Sequence, residues 1–213
     1  MSSFARYDES VAFLKTVDED WARLIDKVGP CRHEPKAVRE PYEALVRAIA
    51  YQQLTAKAGD AIIARLKAIS PDGAFPTPAQ LVAAEFDALR ACGFSAAKIA
   101  TIQAIADAAL SGLVPSREIA AVMDDEALIA QVSAIKGIGR WTVEMLLIYS
   151  LERLDILPVD DFGVRKGYRA LKSLDELPKP GELRAISKAW APHRTVAAWY
   201  LWRMPHDRCI GSE

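Results

Sequence analysis

The chain has 213 residues, 51% hydrophobic and 26% charged, with 27 Lys and Arg against 28 Asp and Glu for a net charge of −1. That composition excludes a disordered chain, and the length is enough to bury a sizeable core in one large domain or two small lobes. The balance of charge excludes a strongly basic protein that coats nucleic acid, while leaving room for a local basic face.

The apolar periodicity is helical almost throughout. Trp21, Leu24, Ile25 and Val28 fall on one face, and Gly29-Pro30 stops that helix. Pro41 suits the first turn of a second helix, with Leu45, Val46 and Ile49 turned inward. A third helix is predicted from about Thr55, with Ile62, Ile63, Leu66 and Ile69 buried. Thr77-Pro78-Ala79-Gln80 has the form of a capping box. Gly93 reads as a C-cap and Ser95 as the N-cap of a helix carrying Ile99, Ile102, Ala106 and Ala109.

Leu128, Ile129, Val132 and Ile135 mark a helix that ends at Lys136-Gly137-Ile138-Gly139, and a new pattern starts at once with Val143, Leu146 and Leu147. Leu154–Pro158 is the one short stretch that suits an extended backbone. Asp160 can cap a helix running through Val164 and Tyr168. Pro178, Pro180 and Gly181 mark a loop, and two more helices follow, split at Pro192. There is no run of alternating strands and no internal repeat, so the fold class is all-α, with roughly ten short helices.

No apolar run approaches the ~20 residues of a membrane span, so no membrane partner is expected. The start, MSSFARYDESVAF, lacks the basic and apolar regions of a secretory signal. Cys31, Cys92 and Cys209 lie far apart and form neither a CxxC pair nor a disulfide framework, which fits an intracellular setting. From Phe162 to Arg203 there are nine basic side chains (among them Arg165, Lys172, Arg194 and Arg203) against Asp175, Glu176 and Glu182. This stretch is either a face for phosphate or an ordinary solvated helical surface.

Two helices joined by Gly-Ile-Gly form a compact hairpin. Glycine takes backbone angles closed to other residues and lets a ligand approach the main chain. The second helix presents N–H groups at its N-terminus, where its dipole favours an anion. A plain turn between helices has the same outline, so the glycines alone do not decide between the two.

Four blocks in order carry a resemblance. Leu128–Met145 (LIAQVSAIKGIGRWTVEM) resembles the helix-hairpin-helix element of the helix-hairpin-helix (HhH-GPD) DNA glycosylase superfamily. About twenty residues after its glycines, Leu157–Phe162 (LPVDDF) resembles the segment with that family's essential aspartate. Val46–Ala58 (VRAIAYQQLTAKA) resembles its DNA-wedging helix junction, and Trp190–Trp202 (WAPHRTVAAWYLW) the C-terminal helix of the 3-methyladenine, AlkA-like branch.

The resemblance implies two helical lobes, about 1–40 with 160–213 and about 41–159, the latter holding the hairpin 128–150, with hairpin and aspartate at the cleft. It implies a monofunctional DNA glycosylase that flips alkylated bases of 3-methyladenine type out of double-stranded DNA and hydrolyses the N-glycosidic bond in base excision repair. It also implies a monomer that acts inside the cell with DNA. Alternatives are a same-fold glycosylase for oxidised or mismatched bases, and a non-catalytic helix-hairpin-helix protein that binds damaged DNA.

Residue by residue, the essential aspartate matches Asp161, leaving the cap to Asp160; on the residues alone, both acids serve equally as helix caps. Gln53 and Leu54 match the wedge and plug that fill the gap left by a flipped nucleotide; the plainer reading puts Leu54 in the core. Backbone N–H groups near Gly137, Gly139 and Thr142 match the phosphate contacts, where the family often holds a monovalent cation on hairpin carbonyls. Trp141 stands where strand-cutting members carry a Schiff-base lysine; its face suits a cationic base, or it is a core aromatic. Tyr42, Phe162 and His193 are further base-pocket candidates. No cofactor is expected, because relatives with an iron–sulfur cluster use four closely spaced C-terminal cysteines and only Cys209 lies near the end here.

Overall fold

The structure, a computed structural model, describes residues 5–36 and 39–204. Cys209 lies outside the described residues. Among them are thirteen α-helices, two 3-10 helices and no strand, so the all-α expectation holds with more and shorter helices than anticipated. The chain divides into two compact units, 1–34 with 153–213, and 35–152.

The boundaries fall earlier than about 40 and 159 because hydrogen bonds commit both connecting segments. In the second unit the Lys36 N–H donates to the Tyr149 carbonyl at 2.5 Å. In the first, the Thr195 hydroxyl accepts from the Ile156 N–H (3.0 Å) and donates to the Arg153 carbonyl (2.7 Å). Arg194 also grips both oxygens of Asp155 at 2.7 Å. Leu154–Pro158, the stretch suited to an extended backbone, forms no strand; these side chains supply the hydrogen bonds that a ladder would have given.

The first unit opens with a 3-10 turn, Ala5–Tyr7, then α1 (Asp8–Val17) and α2 (Glu19–Val28). Asp18 caps α2, accepting from the N–H groups of Asp20 and Trp21, and Gly29 ends it with φ 83°. The second unit holds α3 (Pro41–Tyr51), α4 (Ala56–Ala68), α5 (Pro78–Ala83), α6 (Phe86–Cys92), α7 (Ala96–Leu110), α8 (Arg117–Val122), α9 (Asp125–Ser133) and α10 (Arg140–Tyr149). The chain then returns to the first unit for α11 (Phe162–Leu171), α12 (Pro180–Ile186), a 3-10 turn Ser187–Trp190 and α13 (Arg194–Leu201).

In the second unit the predicted stripes are the core: Leu45, Val46, Ile49, Leu66, Ile99, Ile102, Val132 and Leu147 are all buried. Each removes enough apolar surface from water to contribute ~1.5–3 kcal/mol. Ile69 departs from its expected place. It sits past the end of α4 and is 40% exposed, because the helical stripe that buries Leu66 stops before it.

In the first unit Trp21 and Trp190 meet edge to face at 5.1 Å, with Tyr168 at 5.5 Å from Trp190. Gly167 lets α11 and α13 touch: a Cβ there would stand 2.1 Å from the Leu201 carbonyl oxygen.

Candidate nucleic-acid interface and active site

The hairpin is α9, its turn and α10. Asp124 caps α9, accepting from Glu126 and Ala127. At the turn the two glycines differ. Gly137 has φ 93°, and a Cβ there would meet Thr101 Oγ1 at 2.4 Å, so glycine is required by the fold. Gly139 has an extended backbone (φ −93°, ψ 163°), and no described atom lies within 4 Å of where its Cβ would stand. The fold therefore tolerates a side chain at 139.

Gly139 is the N-cap of α10 and offers no capping side chain. The Thr142 N–H already donates to the Gly139 carbonyl at 3.0 Å, so Thr142 is not a phosphate donor as expected; its side chain is buried as well. Helix geometry leaves the amides of Gly139 and Arg140 as first-turn donors the helix does not use.

The Arg140 side chain folds back onto the hairpin. It holds Glu126 through two bonds (2.8 and 2.5 Å) and Glu144 at 2.9 Å. Hydrogen bonding to Glu126, and then to Glu144, outweighs burial and holds its guanidinium above the usual range. That charge clamps α9 to α10 and is already neutralised.

Residues 134–139 carry no acidic side chain, so within this segment a monovalent cation would find only backbone carbonyls as ligands.

The wedge candidates lie in the turn between α3 and α4. Gln53 is exposed and left-handed, with φ 58°, and Leu54 is 43% exposed, which sets aside its reading as a core residue. Trp141 is likewise 43% exposed and not a core aromatic. Gln53 and Trp141 line one cavity of about 390 Å³ together with Tyr51 and Met145. A second cavity of about 520 Å³ shares Tyr51 and Met145 and adds Lys36, Arg39, Arg47 and Tyr149.

Tyr42 lines neither cavity. It is buried, donates its hydroxyl to the Pro76 carbonyl at 3.1 Å and meets Phe75 edge-on at 6.0 Å. Burial pushes its phenol above the usual range, so it is a core side chain of this unit.

In the first unit the acid pair is sorted, and the expected cap was the wrong one. Asp161, not Asp160, is the N-cap of α11; its Oδ1 accepts from the Val164 N–H at 2.8 Å. Asp160 is exposed in the preceding turn, because the Asp161 N–H bonds back to the Pro158 carbonyl (3.0 Å) and starts the helix one residue later.

The same Oδ1 accepts from the indole Nε1 of Trp202 at 2.9 Å. A Cβ at Gly163 would stand 3.0 Å from both that oxygen and Trp202 Cδ1, so the glycine makes room for the bond. Two fixed donors on one oxygen hold the half-buried carboxylate in one orientation.

Phe162 is 63% exposed beside it. His193 is buried, its Nδ1 2.9 Å from Ser10 Oγ and its ring 4.7 Å from Phe13, which gives it a packing role in this unit. The basic excess of 162–203 shrinks on folding. Lys172 is paired with Asp18 and Asp20 and Arg194 with Asp155, acids that lie outside the counted segment.

Residues 46–193 match the family described as HhH-GPD superfamily base excision DNA repair protein. The chain belongs to this superfamily. Among HhH-GPD relatives, the DNA-3-methyladenine glycosylase 1 of Schizosaccharomyces pombe is 49% identical over 191 residues, covering 89% of this chain and 84% of the relative. The alkylbase DNA glycosidase-like protein mag2 of the same yeast is 38% identical over 96% and 97% of the two chains.

The solved S. pombe 3-methyladenine DNA glycosylase (Mag1) in complex with abasic DNA superposes with a TM-score of 0.80 at 48% identity, over 92% of this chain and 95% of that one. The Bacillus halodurans DNA-3-methyladenine glycosidase does so with 0.81 at 34%, over 91% and 88%.

Sequence reasoning missed two side chains of this HhH-GPD chain. Trp202 carries no local sign of its contact, since nothing nearby in the sequence shows that it reaches back 41 residues to Asp161. Lys98 left a readable sign: a cation in the first turn of a helix, where the dipole disfavours it.

Proposed function

We propose that this chain is a monofunctional DNA glycosylase that excises alkylated purines. The observation that carries the reading is Asp161, a carboxylate fixed by two donors at the place where this family keeps its essential aspartate. The near full-length similarity to 3-methyladenine glycosylases supports the choice of lesion.

A purine alkylated at N3 or N7 is cationic and already a good leaving group, so the remaining task is to stabilise an oxocarbenium-like sugar. A carboxylate about 4 Å away at an effective dielectric of about 20 offers ~4 kcal/mol, roughly a thousandfold in rate. In this reading Asp161 supplies that charge. Gln53 and Leu54 enter the stack, and the hairpin amides at Gly139 and Arg140 take a phosphate. Trp141 offers its face to the flipped cationic base, an attraction worth ~0.5–2 kcal/mol, with Phe162 as a second exposed aromatic.

In this reading the enzyme acts as a monomer on double-stranded DNA inside the cell and works without an iron–sulfur cluster, since three cysteines cannot supply four thiolates, with a monovalent cation at the hairpin as the one ion it would use. Without a Schiff-base lysine at 141, it leaves the strand intact, and borohydride should trap no covalent adduct on abasic DNA.

A panel of duplexes bearing alkylated, oxidised or mismatched bases tests the reading. Release of methylated purines alone is expected. Release only of oxidised or mismatched bases would move the enzyme to another lesion. Binding to damaged DNA with no base released would make it a damage-binding protein.

A further inference from the structure

The turn between α3 and α4 is held by a side chain from elsewhere in its unit. Helix α3 ends with carbonyls that need donors. Ile49 receives the Gln52 N–H (3.3 Å) and Tyr51 the Leu54 N–H (3.1 Å). The carbonyls of Ala50 and Gln52 receive the ammonium of Lys98, at 3.1 and 2.8 Å.

Lys98 lies in the first turn of α7, where its own backbone N–H bonds the Ser95 cap. A cation there opposes the α7 dipole, but its Nζ reaches the C-terminal end of α3, where a cation is favoured. Desolvation lowers its pKa, the sign of an ammonium drawn out of water to make these bonds. On the other side of the turn the Tyr51 ring packs so closely on Gly59 that a Cβ there would stand 2.3 Å away, and its hydroxyl donates to Asp60.

Between these two anchors sits Gln53 at φ 58°, a conformation a non-glycine residue holds only when its surroundings enforce it. A local rule is thus broken at Lys98 and another at Gln53, and the two meet at one turn.

We propose that Lys98 is a positioning residue that locks the α3–α4 turn, and with it Gln53 and Leu54, in the conformation that enters the DNA stack. The inference rests on the wedge reading of Gln53 and Leu54. A wedge fixed before binding avoids the ordering cost of forming it on the DNA. Lys98 touches neither DNA nor base in this account; it acts through two carbonyls.

The test measures affinity for an abasic-site duplex and for the same duplex intact, in wild type, Leu54→Ala, Lys98→Met and Lys98→Arg, with a melting temperature for each. Lys98→Met should lower the abasic-over-intact ratio about fivefold, leave intact-duplex affinity within twofold, and lose no more than a few degrees of melting temperature. Lys98→Arg, which keeps the charge and the donors, should recover most of the ratio.

If Leu54→Ala leaves the ratio unchanged, the wedge reading fails. If Leu54→Ala lowers it and Lys98→Met does not, the wedge stands and the role of Lys98 is refuted. An equal loss on both duplexes with a large fall in melting temperature would make Lys98 a packing residue only. Should Lys98→Met fail to fold, Lys98→Gln, which keeps a donor and loses the charge, is read by the same limits.

Discussion

Two helices of this protein begin at residues with candidate roles, and they begin in opposite ways. Helix α10 starts at Gly139, which has no side chain to offer its first-turn amides. Helix α11 starts at Asp161, whose carboxylate accepts from Val164 and from Trp202. Both ends carry the partial positive charge of a helix N-terminus. One leaves its donors for an anion from outside the chain; the other uses its positive end to hold an anion of its own. The same local physics thus leaves first-turn donors unused by the helix in one unit and fixes a carboxylate in the other, and the residue at the N-cap decides which; in the proposed function the first grips phosphate and the second supplies the charge for excision.

The largest effect should come from Asp161→Asn. Asparagine caps almost as well, so the fold and DNA affinity should persist, while base excision falls several-hundredfold or more; single-turnover rates check this. Asp160→Asn, at an exposed position that caps nothing, should stay within threefold of wild type.

Converting α10 to the α11 pattern comes next. Gly139→Asp places a carboxylate at the uncapped end, where the fold has room for it. Capping adds only a few tenths of a kcal/mol over glycine, so the melting temperature should hold or rise slightly. DNA affinity should fall about thirtyfold, because the new charge occupies the anion's place.

The neighbouring glycine sharpens the contrast from the other side. Gly137→Ala should destabilise, since a left-handed backbone costs a non-glycine residue ~1–2 kcal/mol before the contact with Thr101 is counted. At ~2–4 °C per kcal/mol for a chain of this size, the melting temperature should drop by about 4 °C or more.

The smallest effect is at the second donor to Asp161. Trp202→Phe keeps an aromatic ring, though a smaller one, and removes the N–H; excision should slow about tenfold with DNA affinity unchanged. A loss of affinity instead would mean that Trp202 serves packing and not the carboxylate.

Much of this was legible in the sequence. The caps at Thr55, Thr77, Ser95 and Gly93 stand where local rules put them, because capping is settled within four residues. The buried stripes follow for the same reason, until a helix ends early, as at Ile69. The choice between Asp160 and Asp161 was not legible. Either acid caps equally well on paper, and the decision came from a turn bond to Pro158 and an indole 41 residues away.

Charge counting failed likewise, since Lys172 and Arg194 find their acids outside the counted window. Tyr42 and His193 look like pocket aromatics in a list of residue types, but buried hydrogen bonds to Pro76 and Ser10 give them other work. What a side chain does with a distant partner is where reading along the chain runs out.

The most direct test of the division of labour puts Gly139→Asp and Asp161→Asn on one alkylated duplex and measures Kd and the single-turnover excision rate at saturating protein. Gly139→Asp should raise Kd about thirtyfold and leave the saturated rate within threefold. Asp161→Asn should leave Kd within threefold and lower the rate several-hundredfold. If both variants move the same quantity, or if each moves the one assigned to the other, the two helix ends do not divide grip from chemistry as described.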